Sequence, residues 1–150
     1  MKKSPDIEKL EKILNSSAIV SGGFMGTDTR DLYEIIAADL SELAGLGITI
    51  TKLVSRMKEI TAAAIPALGN WTNIDEKRHA RVDEAKGRLT CPWPHLGRFE
   101  KRITFVENIH TGEIVKWTDL NIHLIETHNF FEGKGSPYRI ELKEIVKNIF

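Results

Sequence analysis

CPWPHLGRFEKRITFVENIHTGEIVKWTDLNIHLIETHNFFEGKG, residues 91–135, holds the chain's only cysteine and four of its five histidines. Its middle, from Arg102 to Trp117, carries the strongest local pattern. Ile103 and Phe105 alternate with polar neighbours, and Val106 and Ile109 extend the apolar run less regularly. Thr111-Gly112 supplies a turn, and Ile114, Val115 and Trp117 return as β-branched and aromatic strand formers. The pattern predicts a β-hairpin. A helix should follow at once: Thr118 can cap it, Asp119 suits the positive end of its dipole, and Leu120, Leu124 and His128 recur on one side.

Working outward, residues 129–137 read as a turn anchored by Phe130 and Phe131, and Ser136-Pro137-Tyr138-Arg139 reads as extended. The chain then closes in an amphipathic helix from Glu141 to Ile149. On the other side, the polar segment from Asn70 to Gly87 offers His79 to Ala85 as a third strand beside the hairpin. Further upstream the period changes from two to 3.6. Ser4-Pro5 opens a helix over residues 5–15, and a second runs from near Thr29 to Ala44 with Asp28 as its cap. A third begins at Thr49 or Thr51 and is bent or ended by Pro66. The predicted fold is therefore α+β, with about three N-terminal helices packed with a small antiparallel sheet, and two C-terminal helices. One domain over residues 1–150 is expected, helical over residues 1–69 and hairpin-helix over residues 70–150.

Hydrophobic content of 41% and charged content of 28% are those of a water-soluble globular chain. No apolar run reaches the length of a membrane span, so no membrane partner is expected, and MKKSPDIEKLEKIL reads as a charged helix rather than a signal peptide. A cytoplasmic location is the expectation, and the single cysteine, which excludes an intramolecular disulfide, suits a reducing compartment. The net charge is zero, but residues 77–102 carry eight Lys or Arg against three Asp or Glu. That local excess suits either a phosphate-facing patch or a solvated face.

Cys91 and His95 enclose three residues, His123 and His128 enclose four, and the hairpin lies between the pairs. A tetrahedral zinc ion needs four such ligands gathered from two short chain reversals, and Pro92 and Pro94 would stiffen the first. On an ideal helix His123 and His128 diverge by about 140°, so both reach one ion only if the helix ends or tightens near Thr127. The succession of knuckle, hairpin and helix looks like a small zinc-binding module of the treble-clef or ββα kind. That resemblance implies zinc as cofactor, held by Cys91, His95, His123 and His128. If only three of them ligate, the open position would suit a metal-dependent hydrolase with Glu126 or Glu132 as general base. The metal-free alternative makes the histidines caps or core residues and Cys91 a small hydrophobe.

Further candidates are Asp39, placed on the apolar face of its helix and in need of Arg30, a histidine or a backbone donor, and His110, which, like His95, could form a thiolate-imidazole pair with Cys91. Lys134 and Arg139, beside Gly133-Lys134-Gly135-Ser136, could receive a phosphate. The glycine-rich run Ser21-Gly22-Gly23-Phe24-Met25-Gly26 is a second anion-loop candidate against a plain connection. SELAGLGITITKLVSRMKEI resembles a helix-turn-helix segment, which implies nucleic acid as an alternative partner; an ordinary αα-hairpin is the other reading of the same residues. The leading expectation is a small binding or regulatory module organised by zinc. Nucleic-acid binding and a small metal-dependent hydrolase are the alternatives, and a homo-oligomer is open.

Overall fold

The computed structural model describes residues 4–16, 23–95 and 97–150. The start of the glycine-rich run, Ser21-Gly22, lies outside the described residues. Helix α1, Pro5–Asn15, starts where Ser4 Oγ accepts from the Ile7 N–H. Helix α2, Leu32–Gly45, is capped by Asp31 rather than Asp28, and helix α3, Ile50–Ala64, by Thr49. Asp28 is drawn instead to Arg30, which bonds both of its carboxylate oxygens, and this guanidinium holds the carboxyl well below the usual range. A 3₁₀ turn over Ile65–Ala67 takes in Pro66 and ends α3 as expected.

Four strands follow in a simple antiparallel meander: β1 (Thr72–Asn73), β2 (Arg78–Thr90), β3 (Arg98–Asn108) and β4 (Ile114–Thr118). Strand β2 runs five residues past the expected Ala85. Its long register with β3 slips between Glu84 and Arg88, where Gly87 takes φ +99°, and such a bulge bends the strand that carries it. Helix α4, Asp119–His128, leaves β4 through a full capping box: Thr118 Oγ accepts from the Asn121 N–H, and Asn121 Oδ1 accepts from the Thr118 N–H. Helix α5, Leu142–Ile149, closes the chain. The Ser136 to Arg139 segment is a turn, not extended, with the Arg139 N–H donating to Ser136 O at 3.2 Å; Pro137 stands at the turn position that its fixed φ suits.

Two apolar clusters share α4. In the first, Leu53, Val54, Met57 and Ile60 of α3 and Ile145 and Ile149 of α5 cover Ala80, Val82, Val106 and Trp117 of the sheet, with Ile122 and Ile125 of α4. The inward residues of β3 are Thr104 and Val106, while Ile103 and Phe105 are only half-buried. A polar trio explains the inward threonine: Thr61 and Thr104 hydroxyls bond at 2.6 Å, and the Trp117 indole N–H donates to Thr61 at 2.9 Å. The second cluster joins Leu10, Leu14, Phe24, Leu32 and Ile35 to Leu120, Leu124 and Phe130, and it includes Cys91. Among the described residues, no helix is long and apolar enough to cross a membrane.

Candidate metal centre

Beyond the bulge, β2 delivers Cys91 to the second apolar cluster, and the chain doubles back at once, with the His95 N–H donating to Trp93 O at 2.8 Å. The other side of the site is the C-terminal turn of α4. Its last residue is His128, and Asn129 follows in the left-handed region at φ +54°. The Asn129 and Phe130 N–H groups return to Ile125 O and Leu124 O, so the helix stops one residue past Thr127. The condition under which His123 and His128 reach a common point is thereby met.

The four side chains converge. One donor atom from each of Cys91, His95, His123 and His128 lies within 4.8 Å of all the others. Cys91 Sγ stands 3.4 Å from His128 Nε2, His95 Nε2 stands 3.0 Å from His128 Nε2, and His123 Nε2 stands 3.2 Å from His95 Nε2. Around a tetrahedral ion with ordinary metal–ligand lengths, N···N edges are about 3.3 Å and S···N edges about 3.6 Å. Three edges of the cluster thus already have the size that a bound metal ion imposes. Without an ion, at best one proton on His95 Nε2 would be shared between the His123 and His128 nitrogens, because a single ring nitrogen either donates or accepts.

Two aromatic side chains brace the imidazoles, and neither stands out as a site residue in the sequence. Trp93 stacks on His128 with ring centroids 4.1 Å apart and planes inclined by 11°, and Phe99 stacks on His123 at 4.3 Å. The one local signal is that Trp93 sits between the two ligand candidates of the knuckle. Thr127 Oγ1 lies 3.3 Å from His123 Nδ1; when His123 ligates through Nε2, its Nδ1–H donates to that hydroxyl and sets the ring's orientation. Burial lowers the His128 pKa to about 4, helped by the neighbouring His123 and His95, and burial likewise lowers that of His123. Both rings are therefore neutral near pH 7 and free to ligate. Burial pushes the Cys91 thiol up.

No protein-family model, curated protein or solved structure matches the chain.

The remaining candidates fall elsewhere. Asp39 finds Arg139, not Arg30 or a histidine: Nη1 and Nη2 donate to the two carboxylate oxygens at 2.9 Å each, with both side chains buried. Arg139 also donates to Glu132 O and to Glu141. This pair is a structural clamp between α2 and the 129–141 segment. His110 is exposed in the turn between β3 and β4, at the opposite end of β3 from Cys91, about 30 Å of strand away. The Gly133 and Lys134 N–H groups go to Phe24 O and Asp28 Oδ2, and Lys134 O accepts from Thr27. The segment is thus docked on residues 24–28 instead of open to a phosphate. Gly133 is required there, because a Cβ would stand 2.2 Å from Met25 O.

Glu126 is exposed and paired with Lys58, whereas Glu132 is buried, accepting from Ser136 Oγ at 2.6 Å and Asn121 Nδ2 at 2.7 Å. Burial raises the Glu132 pKa to about 7, against its hydrogen bonds and Arg139, which act the other way. An acid whose folded pKa is raised keeps its proton in the folded state where the unfolded chain has lost it. Its contribution therefore falls as pH rises from about 4.5 to about 7 and is constant above. The loss is about 3 kcal/mol. Glu132→Gln should abolish that slope, so urea unfolding at pH 5 and pH 8 should show the variant gaining about 2.5 kcal/mol on the parent between the two. A constant difference would show that Glu132 titrates normally.

Proposed function

We propose that Cys91, His95, His123 and His128 hold one zinc ion, and that the protein is a small binding or regulatory module whose C-terminal half this ion organises. The observation that carries the reading is the convergence of four donor atoms from two separate chain reversals. One thiolate and three imidazoles form a borderline donor set, and zinc accepts tetrahedral geometry without electronic preference. Four protein ligands complete that shell, which favours a structural ion over the three-ligand arrangement of a metal-dependent hydrolase. The ion would fasten the loop after β2 to the end of α4, where the apolar wall of the second cluster thins to half-exposed rings. Ligation requires the Cys91 thiolate, so binding releases a proton and tightens as pH rises. A cytoplasmic location suits the lone, reduced thiol.

Elemental mass spectrometry on untagged protein purified without chelator should find about one zinc per chain. Cys91→Ser and His128→Ala should each abolish stoichiometric zinc. Each should also lower the thermal midpoint by about 10 °C, the equivalent of roughly 3 kcal/mol for a chain of this size. His79→Ala, in one of the two imidazoles outside the cluster, should retain the metal. Folded, metal-free protein in which all three variants have equal, small effects would overturn the reading.

A further inference from the structure

A cleft of about 270 Å³ opens between the β2–β3 ribbon and the 129–141 segment. Its walls are apolar, from Phe24, Leu89, Ile103 and Leu120, and its border includes Glu132 and Tyr138. Glu132 lines the cleft, and its carboxylate bonds Asn121, the residue after Leu120 in the same first turn of α4. Two acidic residues, Asp39 and Glu132, are fully buried among the described residues, and they are not treated alike. Asp39 is matched by Arg139. Glu132 has two neutral donors, Asn121 and Ser136, and among the described residues no ion pair. The nearest guanidinium, Arg139, is spent on Asp39, Glu141 and the Glu132 carbonyl.

The backbone at Glu132 adds a second oddity. Its φ is +71°, in the left-handed region that costs a side chain about 1–2 kcal/mol and costs glycine nothing. A buried carboxylate without a counter-ion, on a left-handed backbone and lining an apolar cleft, has the features by which binding sites are recognised.

We propose that this cleft binds a small organic cation, a primary amine on an apolar body, whose ammonium group takes the place of the missing counter-ion of Glu132. The apolar walls receive the body, and the same burial that penalises a lone carboxylate strengthens its attraction for a cation. Arg102, at the rim, does not oppose this, because Glu84 and Asp119 neutralise it at 3.2 and 2.9 Å. Lys101 is exposed beside Glu100. The Tyr138 ring already faces one cation, Lys116 Nζ at 4.9 Å. The charged or titratable groups around Glu132 are thus Arg139 on its own segment and Glu100, Lys101, Arg102 and Tyr138 around the cleft.

The test is calorimetric titration of the full chain at pH 8 with 2-phenylethylamine and with its uncharged counterpart, 2-phenylethanol. The amine should bind roughly tenfold or more tightly than the alcohol. Glu132→Gln should erase that preference, and Ala85→Trp at the exposed rim should block both probes while leaving the thermal midpoint unchanged. Equal binding of the two probes, no binding of either, or amine binding unaffected by Glu132→Gln or by Ala85→Trp would overturn the proposal.

Discussion

Asp39→Ala should lower the unfolding free energy by about 3–5 kcal/mol, because it leaves the Arg139 guanidinium buried and uncompensated. Both side chains are nearly inaccessible, and the two bonds between them are parallel and short. Arg139 also holds the Glu132 carbonyl at 2.7 Å, so its release should loosen the 129–141 segment along with α2. Urea unfolding measures the loss. The pair Asp39→Leu with Arg139→Met should recover most of it, since replacing both partners by apolar groups removes the stranded charge. A single variant that loses less than about 1 kcal/mol would mean that Arg139 finds solvent or Glu141 instead.

Trp117→Ala should cost a similar amount, about 3–5 kcal/mol. The ring is fully buried where α3, α4 and α5 meet the sheet. Its indole N–H also satisfies Thr61, whose hydroxyl is shared with Thr104. Trp117→Phe should cost less, about 1–2 kcal/mol, from the lost hydrogen bond and a partial cavity. Denaturant midpoints for the two variants, compared at equal slope, separate the packing from the hydrogen bond. Equal losses would show that the trio of Thr61, Thr104 and Trp117 adds nothing beyond volume.

Several elements are legible residue by residue. Ser4, Thr49 and Thr118 have the chemistry and the position of caps, and they are caps. The hairpin and the helix after it stand where Thr111-Gly112 and Thr118 put them. The four metal-ligand candidates are legible as two spaced pairs around one hairpin, and the structure brings them within 4.8 Å. The face of β3 is not legible in the same way. Ile103 and Phe105 look like the inward pair, yet Thr104 is the buried residue between them. A threonine becomes an inward residue only when Thr61 and Trp117 supply its hydrogen bonds, and they come from two other elements. Asp28 looks like a cap and is not one for a related reason: Arg30 competes for its carboxylate, and Asp31 serves the helix.

The sequence by itself determined the kind and limits of most elements, because capping, turn chemistry and side-chain periodicity act within a turn or a strand and are written in adjacent residues. It also determined which side chains were chemically able to meet at the end of α4. Only the tertiary structure decided that Asp39 meets Arg139, a hundred residues away, that Trp93 and Phe99 brace the imidazoles, and that Glu132 is left with neutral donors. Those outcomes turn on which groups lose water together. Desolvation is a property of the assembled core, and no local pattern encodes which distant charge or ring will share it.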